Sequence, residues 1–285
     1  MRTTKRNPWY LYAGSILMIL SWYFNWHLTG LRTHYLFFPL WFGYILVIDA
    51  LVYYRKGTSL ISRNPRKFFL LFFMSVPVWW LFEGLNLRTQ NWYYLGREQF
   101  TDLEYFLYAS LCFSTVIPAV FVSAELISSF RALTNWKRGP RISSGRKSIF
   151  FLLFLGVATL ILLLIWPKYF YVFLWLSIFL ILDSVNHLLG NRSLVAFTNV
   201  RDWRPLLSMA LGCLLCGFFW EMWNYLAFPK WKYNTPGVEF LYIFEMPLLG
   251  YLGYIPFAFE LFAFYHLFAG KKDKAGQDYY LLSEY

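Results

Sequence analysis

Acidic residues inside apolar stretches are the first feature of this sequence that could do chemistry. Eight of its fifteen acidic residues lie within or at the edge of long apolar stretches, and no lysine or arginine lies within those stretches. A charged side chain at the centre of a membrane costs about 2.5–3.5 kcal/mol, so these groups should either keep a proton or face polar partners. A protonated carboxyl group of this kind can act as a proton donor near neutral pH. The eight residues are Asp49, Glu83, Glu104, Glu125, Asp183, Glu221, Glu245 and Glu260.

One polar set, which we call the outer set, follows the third apolar stretch. Glu83 and Asn86 are three residues apart, so they share one face of a helix. Trp92 and Tyr94 come next, and Glu104 follows at the start of another apolar stretch. We expect the two glutamates and the asparagine to form one cluster with aromatic side chains around it. The second half of the chain contains the same types in the same order, as Glu221, Asn224, Trp231, Tyr233 and Glu245.

The remaining acidic residues form an inner set, nearer the opposite side of the membrane. We expect Asp49 to lie at the depth of Glu125, and Asp183 at the depth of Glu260, with His187 one helical turn after Asp183. Carboxyl groups within membrane helices often mark the path of a proton or an ion. The four acids are therefore a candidate proton relay.

Both sets also have a plainer interpretation. Polar side chains between membrane helices often only hold the helices together, at about 0.6 kcal/mol per hydrogen bond. Trp and Tyr near the end of an apolar stretch are also typical of the aromatic belt at a membrane surface. The outer set favours chemistry more than the inner set does, because carboxyl, amide and aromatic groups recur together in both halves.

The composition predicts the elements that position these residues. Of the 285 residues, 59% are hydrophobic and only 14% are charged, whereas a soluble domain carries about 25% charged residues. A membrane span needs about 20 apolar residues. We therefore predict an all-α polytopic membrane protein with about eight transmembrane helices, bent near Pro118 and near Pro247 and Pro256, since proline removes a helix hydrogen bond. The predicted spans are 9–29, 35–54, 68–86, 103–130, 148–166, 169–190, 205–227 and 240–268.

The basic residues predict the orientation of these spans. When the loops are assigned alternately to two sides, 20 of the 26 basic residues fall on the side of both termini and 6 on the other side. Cytoplasmic loops carry the excess of basic residues, so we expect a multi-pass protein of the inner (cytoplasmic) cell membrane with both termini in the cytoplasm. The net charge of +11 then belongs to membrane flanks, and no basic helix or zinc pattern indicates a nucleic-acid partner.

The chain also repeats itself. Asp49 and Ser59 recur as Asp183 and Ser193, each 134 residues later, and the outer set recurs in the same order. We predict two four-helix repeats that share one orientation and are related by an axis along the membrane normal. The expected boundaries are 1–134 for the first repeat, 135–147 for a basic cytoplasmic linker, 148–270 for the second repeat and 271–285 for a cytoplasmic tail.

The outer set resembles the membrane-type lycopene cyclases, whose halves carry an aromatic-rich turn and then a helix that opens with acidic and aromatic residues. In the first half the resemblance lies in Asn91–Gly96 and Leu103–Leu107. In the second half it lies in Trp231–Tyr233 and Ile243–Pro247. The resemblance covers about the last two spans of each repeat.

The resemblance implies an acid-catalysed reaction of a polyene. Glu104 and Glu245 would protonate a double bond, with Glu83 and Glu221 beside them in the catalytic group. Aromatic rings would stabilise the carbocation by cation–π contact, and no cofactor would be needed. The implied substrate contacts are Asn86, Asn224, Trp92, Trp231, Tyr94 and Tyr233.

Three functions remain open from the sequence. The first is an intramembrane enzyme that acts on an apolar isoprenoid, carotenoid or lipid substrate. The second is a transporter or proton-coupled carrier, favoured by the duplication and by acids at two depths. The third is a membrane scaffold without catalysis. We expect no bound metal, because the four histidines are scattered along the chain without ligand spacing. The expected partners are the lipid bilayer and an apolar ligand.

Overall fold

The computed structural model describes residues 8–134, 139–270 and 280–282. Helices dominate, as predicted, and two short two-stranded sheets join them. The helices are α1 Tyr10–His27, α2 Arg32–Lys56, α3 Leu60–Arg63, α4 Pro65–Thr89, α5 Asp102–Phe113, α6 Val116–Ser128, α7 Arg131–Thr134, α8 Arg146–Ile165, α9 Pro167–Phe170, α10 Leu174–Leu189, α11 Leu194–Asn199, α12 Arg204–Tyr225 and α13 Tyr254–Ala269. The strands are β1 Trp92–Leu95, β2 Lys230–Tyr233, β3 Tyr242–Ile243 and β4 Met246–Pro247.

Seven helical segments of the described chain are long and apolar enough to cross a membrane, which indicates a membrane protein. The first predicted span corresponds to α1, an 18-residue helix that is not among these seven. Its last turn carries Asn25 and His27, which lower its apolar character. The seven segments are Thr33–Lys56, Pro65–Thr89, Asp102–Ser128, Arg146–Ile165, Pro167–Leu189, Arg204–Tyr225 and Leu248–Ala269.

The fourth predicted span is broken between α5 and α6, just before Pro118. Pro118 lies in the first turn of α6. An N–H at that position has no partner within the helix, so the N–H that proline lacks is not missed there. Ser75 of α4 bridges the gap. Its hydroxyl donates to the carbonyl of Phe113 at 2.6 Å and accepts from the backbone N–H of Ile117 at 3.1 Å. The predicted bend at Pro118 thus coincides with a break that a neighbouring helix repairs.

The last predicted span, 240–268, starts too early. Its first residues form the β3–β4 hairpin, in which Tyr242 lies opposite Pro247. A 3₁₀ helix over Leu248–Gly253 follows, and α13 begins at Tyr254. Pro247 therefore ends a strand, and Pro256 lies in the first turn of α13, where proline is tolerated. The correction moves Glu245 out of a helix and into a turn.

Close contacts between helices occur where glycine replaces a side chain. In the first half, α1 and α2 meet at Gly14 and Gly43, and a Cβ at Gly43 would lie 2.7 Å from the backbone nitrogen of Met18. Between the halves, α12 meets α6 at Gly212, where a Cβ would lie 2.5 Å from the backbone nitrogen of Ala124. Small residues of this kind let membrane helices approach closely. The second contact fixes one half of the chain against the other.

Strands β1 and β2 join the two halves on one side of the bundle, which we call the strand side. They pair antiparallel, with Trp92 opposite Tyr233 and Tyr94 opposite Trp231. The pairing continues into the loop beyond, where the backbone N–H of Asn234 donates to the carbonyl of Asn91 at 2.7 Å. The outer sets of both halves therefore lie in one shared structure.

The opposite side carries the linker between the halves, and we call it the linker side. Arg141 of the linker contacts Asn199, and the indole of Trp203 donates to the carbonyl of Pro140 at 2.9 Å. The basic N-terminal residues, linker residues 135–138 and most of the predicted tail lie outside the described residues.

Candidate functional site

A cavity of about 530 Å³ lies between the two halves, next to the β1–β2 pair. Most of its wall is aromatic or aliphatic. Sites for small organic molecules commonly measure about 300–1,000 Å³ and have walls of this type. We call it the central chamber. Its aromatic wall includes Trp79, Trp92 and Tyr94 from the first half, and Trp175, Trp220, Trp231, Tyr233, Tyr254 and Phe257 from the second.

Glu83 lies behind the part of this wall that the first half contributes. One oxygen of its carboxylate accepts three hydrogen bonds, from the Trp79 indole at 3.0 Å, the Trp92 indole at 3.1 Å and the Tyr94 hydroxyl at 2.5 Å. All three donors also line the chamber. The glutamate therefore fixes three aromatic side chains in the chamber wall.

Glu221 has the corresponding position in the second half, where it is completely buried. Its Oε1 accepts from the hydroxyls of Tyr233 at 2.6 Å and Tyr254 at 2.7 Å. The Trp231 indole in turn donates to the Tyr233 hydroxyl at 2.8 Å. The other oxygen, Oε2, has no hydrogen-bond partner among the described residues.

The two asparagines shape the loops that carry the aromatic residues. Asn86 Nδ2 donates to the carbonyl of Trp92 at 2.8 Å, and Asn86 Oδ1 accepts from the backbone N–H of Asn91 at 2.8 Å. Asn224 Nδ2 donates to the carbonyl of Trp231 at 2.8 Å and its Oδ1 accepts from the N–H of the same residue at 3.0 Å. Both side chains thus anchor a strand and do not line the chamber.

Tyr94 and Tyr233 are two of the side chains that link the glutamates to the chamber, and they lie in corresponding positions of the two halves. Burial, followed by the neighbouring Glu83 carboxylate, raises the pKa of Tyr94 well above its ordinary value. Burial and Glu221 do the same to the pKa of Tyr233. Both hydroxyls therefore stay protonated at neutral pH, and each can donate a hydrogen bond.

Glu104 does not join the expected cluster. It is exposed at the start of α5, where its carboxylate accepts from the backbone N–H of Thr101 at 2.9 Å and from the hydroxyl of the same residue at 2.8 Å. This is a capping box, which satisfies free N–H groups at a helix start. The spacing Thr101-x-x-Glu104 is the sequence signal for it.

Glu245 lies near Glu221, but its direct partners are lysines. Its carboxylate forms an ion pair with Lys230 and lies 3.6 Å from the Nζ of Lys232. Both lysines belong to strand β2. The expected cluster is therefore wrong for Glu104, whereas Glu245 interacts electrostatically with Glu221 but takes its ion-pair partners from strand β2.

Asp49 and Asp183 bind the start of a short helix on the linker side. Asp49 accepts from the backbone N–H of Ile61 at 3.1 Å and from the hydroxyl of Tyr10 at 3.0 Å. Asp183 accepts from the N–H groups of Leu194 at 2.7 Å and Val195 at 2.9 Å. The first N–H groups of a helix have no partner within the helix. The repeated aspartates thus hold α3 and α11 in place.

Glu125 is buried but paired, although no basic residue lies in its span. Arg63 reaches it at 2.5 Å and Lys56 at 3.4 Å, and the backbone N–H of Leu282 donates to it at 2.7 Å. The expectation that no base would pair with these acids is wrong here. Long side chains from the end of α2 and from α3 extend back toward the bundle.

Glu260 differs from Glu125 in its surroundings. It is completely buried in α13, and neither carboxyl oxygen has a hydrogen-bond partner among the described residues. Arg63, the ion-pair partner of Glu125, also acts electrostatically on Asp49, whereas Asp183 binds the start of α11. His187 contacts the hydroxyl of Ser193 at 3.1 Å.

Several chamber residues were not among the sequence candidates. Trp79 lies four residues before Glu83, a helical spacing that could have linked the two. Tyr254 reaches Glu221 from α13, and Trp175 stacks on Trp92 with ring centroids 6.1 Å apart. No sequence signal for these two contacts was available, because each joins distant parts of the chain.

The described residues contain no group of three or more His, Cys, Asp or Glu side chains placed to hold a metal ion.

The segments that resemble lycopene cyclases form β1, β2, the start of α5 and the β3–β4 turn. Among the matched aromatic residues, those of the strand segments and Tyr105 of α5 line the chamber. In comparison with known proteins, the chain matches no family model, no curated protein and no solved structure.

Proposed function

We propose an eight-span protein of the inner membrane, with both termini in the cytoplasm and two repeats in parallel orientation. The spans of α1 and α8 support the count, since Gly14 of α1 packs closely on α2 and Gly156 of α8 packs closely on α10. The matching roles of Asp49 and Asp183 support the duplication. The excess of basic residues on the linker side supports the orientation.

We propose that the central chamber binds an apolar isoprenoid or lipid-like molecule. The observation that carries this proposal is a cavity of about 530 Å³ with an aromatic wall, in a chain whose helices suit a bilayer. Apolar surface of this extent favours binding of an apolar molecule, since burial releases about 25 cal/mol per Å². The glutamates would hold the Trp and Tyr side chains of the wall in place, so the chamber would keep its volume and its shape.

A specific observation favours acid catalysis as a further step. The Tyr94 and Tyr233 hydroxyls lie between a glutamate and the chamber. In our proposal, the glutamate carries a proton when the ligand is bound, and its O–H donates to the tyrosine oxygen. The tyrosine then gives its own proton to a substrate double bond and takes the carboxyl proton, which leaves a carboxylate. The carbocation would rest against indole faces. Loss of a proton from a neighbouring carbon to the carboxylate would complete an isomerisation or cyclisation without a redox cofactor.

This version moves the catalytic acids from Glu104 and Glu245 to Glu83 and Glu221. The reason is geometric, since Glu104 is exposed at a helix start and Glu245 is paired with lysines. The resemblance to lycopene cyclases supports the class of reaction. A carotenoid is then one candidate within the isoprenoid class.

The test is native mass spectrometry with lipid extraction on protein purified gently from its own membranes. Ala109 lines the chamber, so Ala109→Trp should fill it and remove a co-purifying apolar molecule. Leu107→Trp, on the exposed face of the same helix, is the matched control and should keep it. Equal ligand content in both variants would contradict binding in the chamber.

Catalysis is tested on the identified ligand class. Glu83→Gln and Glu221→Gln should still bind the molecule, because Gln also accepts hydrogen bonds from the tyrosines. Conversion should fall at least a hundredfold, as expected on loss of general acid catalysis. Solute flux into liposomes with no chemical change of the ligand would favour a carrier instead.

A further inference from the structure

Two buried oxygen atoms in the chamber wall have no hydrogen-bond partner among the described residues. They are Oδ1 of Asn91 and Oγ1 of Thr235. Both residues line the chamber, and their exposed fractions are 7% and 8%. A buried polar atom without a partner is destabilising. The Nδ1 atom of His34 in the same wall also has no hydrogen-bond partner among the described residues, whereas the Tyr94 and Tyr233 hydroxyls already bind glutamates. The two oxygens are thus acceptor positions that a ligand could use.

The two oxygens belong to one small structure. Asn91 pairs with Asn234 through two hydrogen bonds, from Asn234 N to Asn91 O at 2.7 Å and from Asn91 Nδ2 to Asn234 O at 3.2 Å. Thr235 directly follows Asn234. One half of the chain provides an amide oxygen and the other a hydroxyl, both next to the Asn91–Asn234 pairing beyond β1 and β2. The pairing also fixes the orientation of the Asn91 amide, because its nitrogen is already used.

The charges around the chamber limit what can bind there. Among the described lining residues Lys230 is the only Lys, Arg, Asp or Glu, and its ammonium contacts Glu245 and the carbonyl of Tyr225. A phosphate or carboxylate head group would therefore lack a cation of its own. An amide oxygen needs a donor, which a pure hydrocarbon, an ether or a ketone does not offer.

We propose that the chamber's ligand is a neutral lipid alcohol, whose hydroxyl donates to Asn91 Oδ1 and accepts from Thr235 Oγ1. This inference rests on the proposed binding of an apolar molecule and adds its polar end. A hydroxyl has one donor and two acceptor sites, so one group can satisfy both residues. The apolar chain would lie against the rings of Trp79, Trp175 and Phe257, which contact one another in the wall.

The experiment compares three probes on the full-length protein in nanodiscs. They are geranylgeraniol, its methyl ether and the hydrocarbon that lacks the oxygen, each competing against radiolabelled geranylgeraniol. Empty nanodiscs correct for partition into lipid. We expect the alcohol to bind about tenfold tighter than the other two, since its donor satisfies a buried acceptor.

Two variants test whether the preference for the alcohol depends on Thr235. Thr235→Val keeps the shape of the side chain and removes the hydroxyl, so the preference for the alcohol should fall to about threefold or less. Thr159→Val is the matched control, because its hydroxyl bonds within helix α8 and lies outside the chamber wall. It should leave the preference unchanged.

The outcomes separate this inference from the proposed function. Equal binding of all three probes would overturn the alcohol head group and leave binding of an apolar molecule intact. An alcohol preference that Thr235→Val does not change would overturn the assigned site. Binding of none of the probes would overturn the inference, and the proposed function with it.

Discussion

Trp92 of the first half lies directly opposite Tyr233 of the second half in the β1–β2 pair. The indole of Trp92 donates to Glu83, and the hydroxyl of Tyr233 donates to Glu221. One strand pair therefore brings two carboxylates, the half-buried Glu83 and the buried Glu221, to the wall of one chamber. Changes in either half should affect the same ligand.

The four glutamates of the outer set should respond differently to substitution. Glu221→Gln should reduce conversion of the ligand, since Glu221 contacts two chamber tyrosines. Glu104→Gln should leave ligand binding and conversion unchanged and lower the melting temperature slightly, because it weakens a helix cap. Ligand content and melting temperature, measured on both variants, check this. A loss of activity in Glu104→Gln with unchanged folding would restore the original assignment of Glu104.

Asp183 should act through stability alone. Asp183→Asn removes charge from the group that holds two N–H donors of α11, and we expect a loss of about 1 kcal/mol in the free energy of unfolding. Unfolding in detergent micelles measures this. Asp202→Asn, at a more exposed aspartate bound to nearby Arg204, is the control. Proton flux that depends on Asp183 would favour the relay instead.

The C-terminal residues Tyr280–Leu282 should stabilise the linker side. Leu281 is completely buried, and the guanidinium of Arg192 donates to the carbonyls of Leu281 at 2.5 Å and Leu282 at 3.0 Å. Leu281→Ala should cost about 2–5 kcal/mol if the segment stays bound. Val200→Ala, at an exposed position, should cost little. Thermal unfolding that does not distinguish the two variants would contradict the burial of this segment.

Ser75 should stabilise the break between α5 and α6. Ser75→Ala leaves the carbonyl of Phe113 and the N–H of Ile117 without this partner, which should cost about 1–3 kcal/mol. Ser110→Ala is a suitable control. Ser110 lies within α5, and its hydroxyl accepts from the indole of Trp80 and not from a backbone group at the break. Hydrogen exchange should also become faster around Ile117 in Ser75→Ala. Unchanged exchange at Ile117 would show that the break does not depend on Ser75.

Most helices could be predicted from the sequence, because a long apolar stretch indicates a membrane span. The span 240–268 was predicted too long, since the β3–β4 hairpin is as apolar as a helix end. The sequence also placed Glu83 with Tyr94, and Glu221 with Tyr233, in one outer set of each half. It did not predict that both pairs face one chamber, because strand pairing between Trp92 and Tyr233 depends on long-range packing.

The roles of individual acids were harder to predict than their positions. Asp49 and Asp183 were recognised as a repeated pair, but their contacts with helix starts depend on how the next loop returns. Glu125 was expected to lack a basic partner, because Arg63 is far from it in the sequence. In the fold, the long Arg63 side chain reaches the Glu125 carboxylate. For Glu104 the capping-box spacing with Thr101 was present in the sequence. The apolar stretch after it favoured the prediction of a site within the membrane instead.

The most direct test of the central chamber is photoaffinity labelling with an apolar isoprenoid that carries a diazirine, followed by peptide mapping. A ligand in the chamber should label the peptides that contain Trp92, Trp175 and Trp231, and this labelling should be lost in Ala109→Trp. Labelling only of lipid-facing residues such as Phe154 on α8, unchanged in Ala109→Trp, would contradict a ligand chamber between the halves.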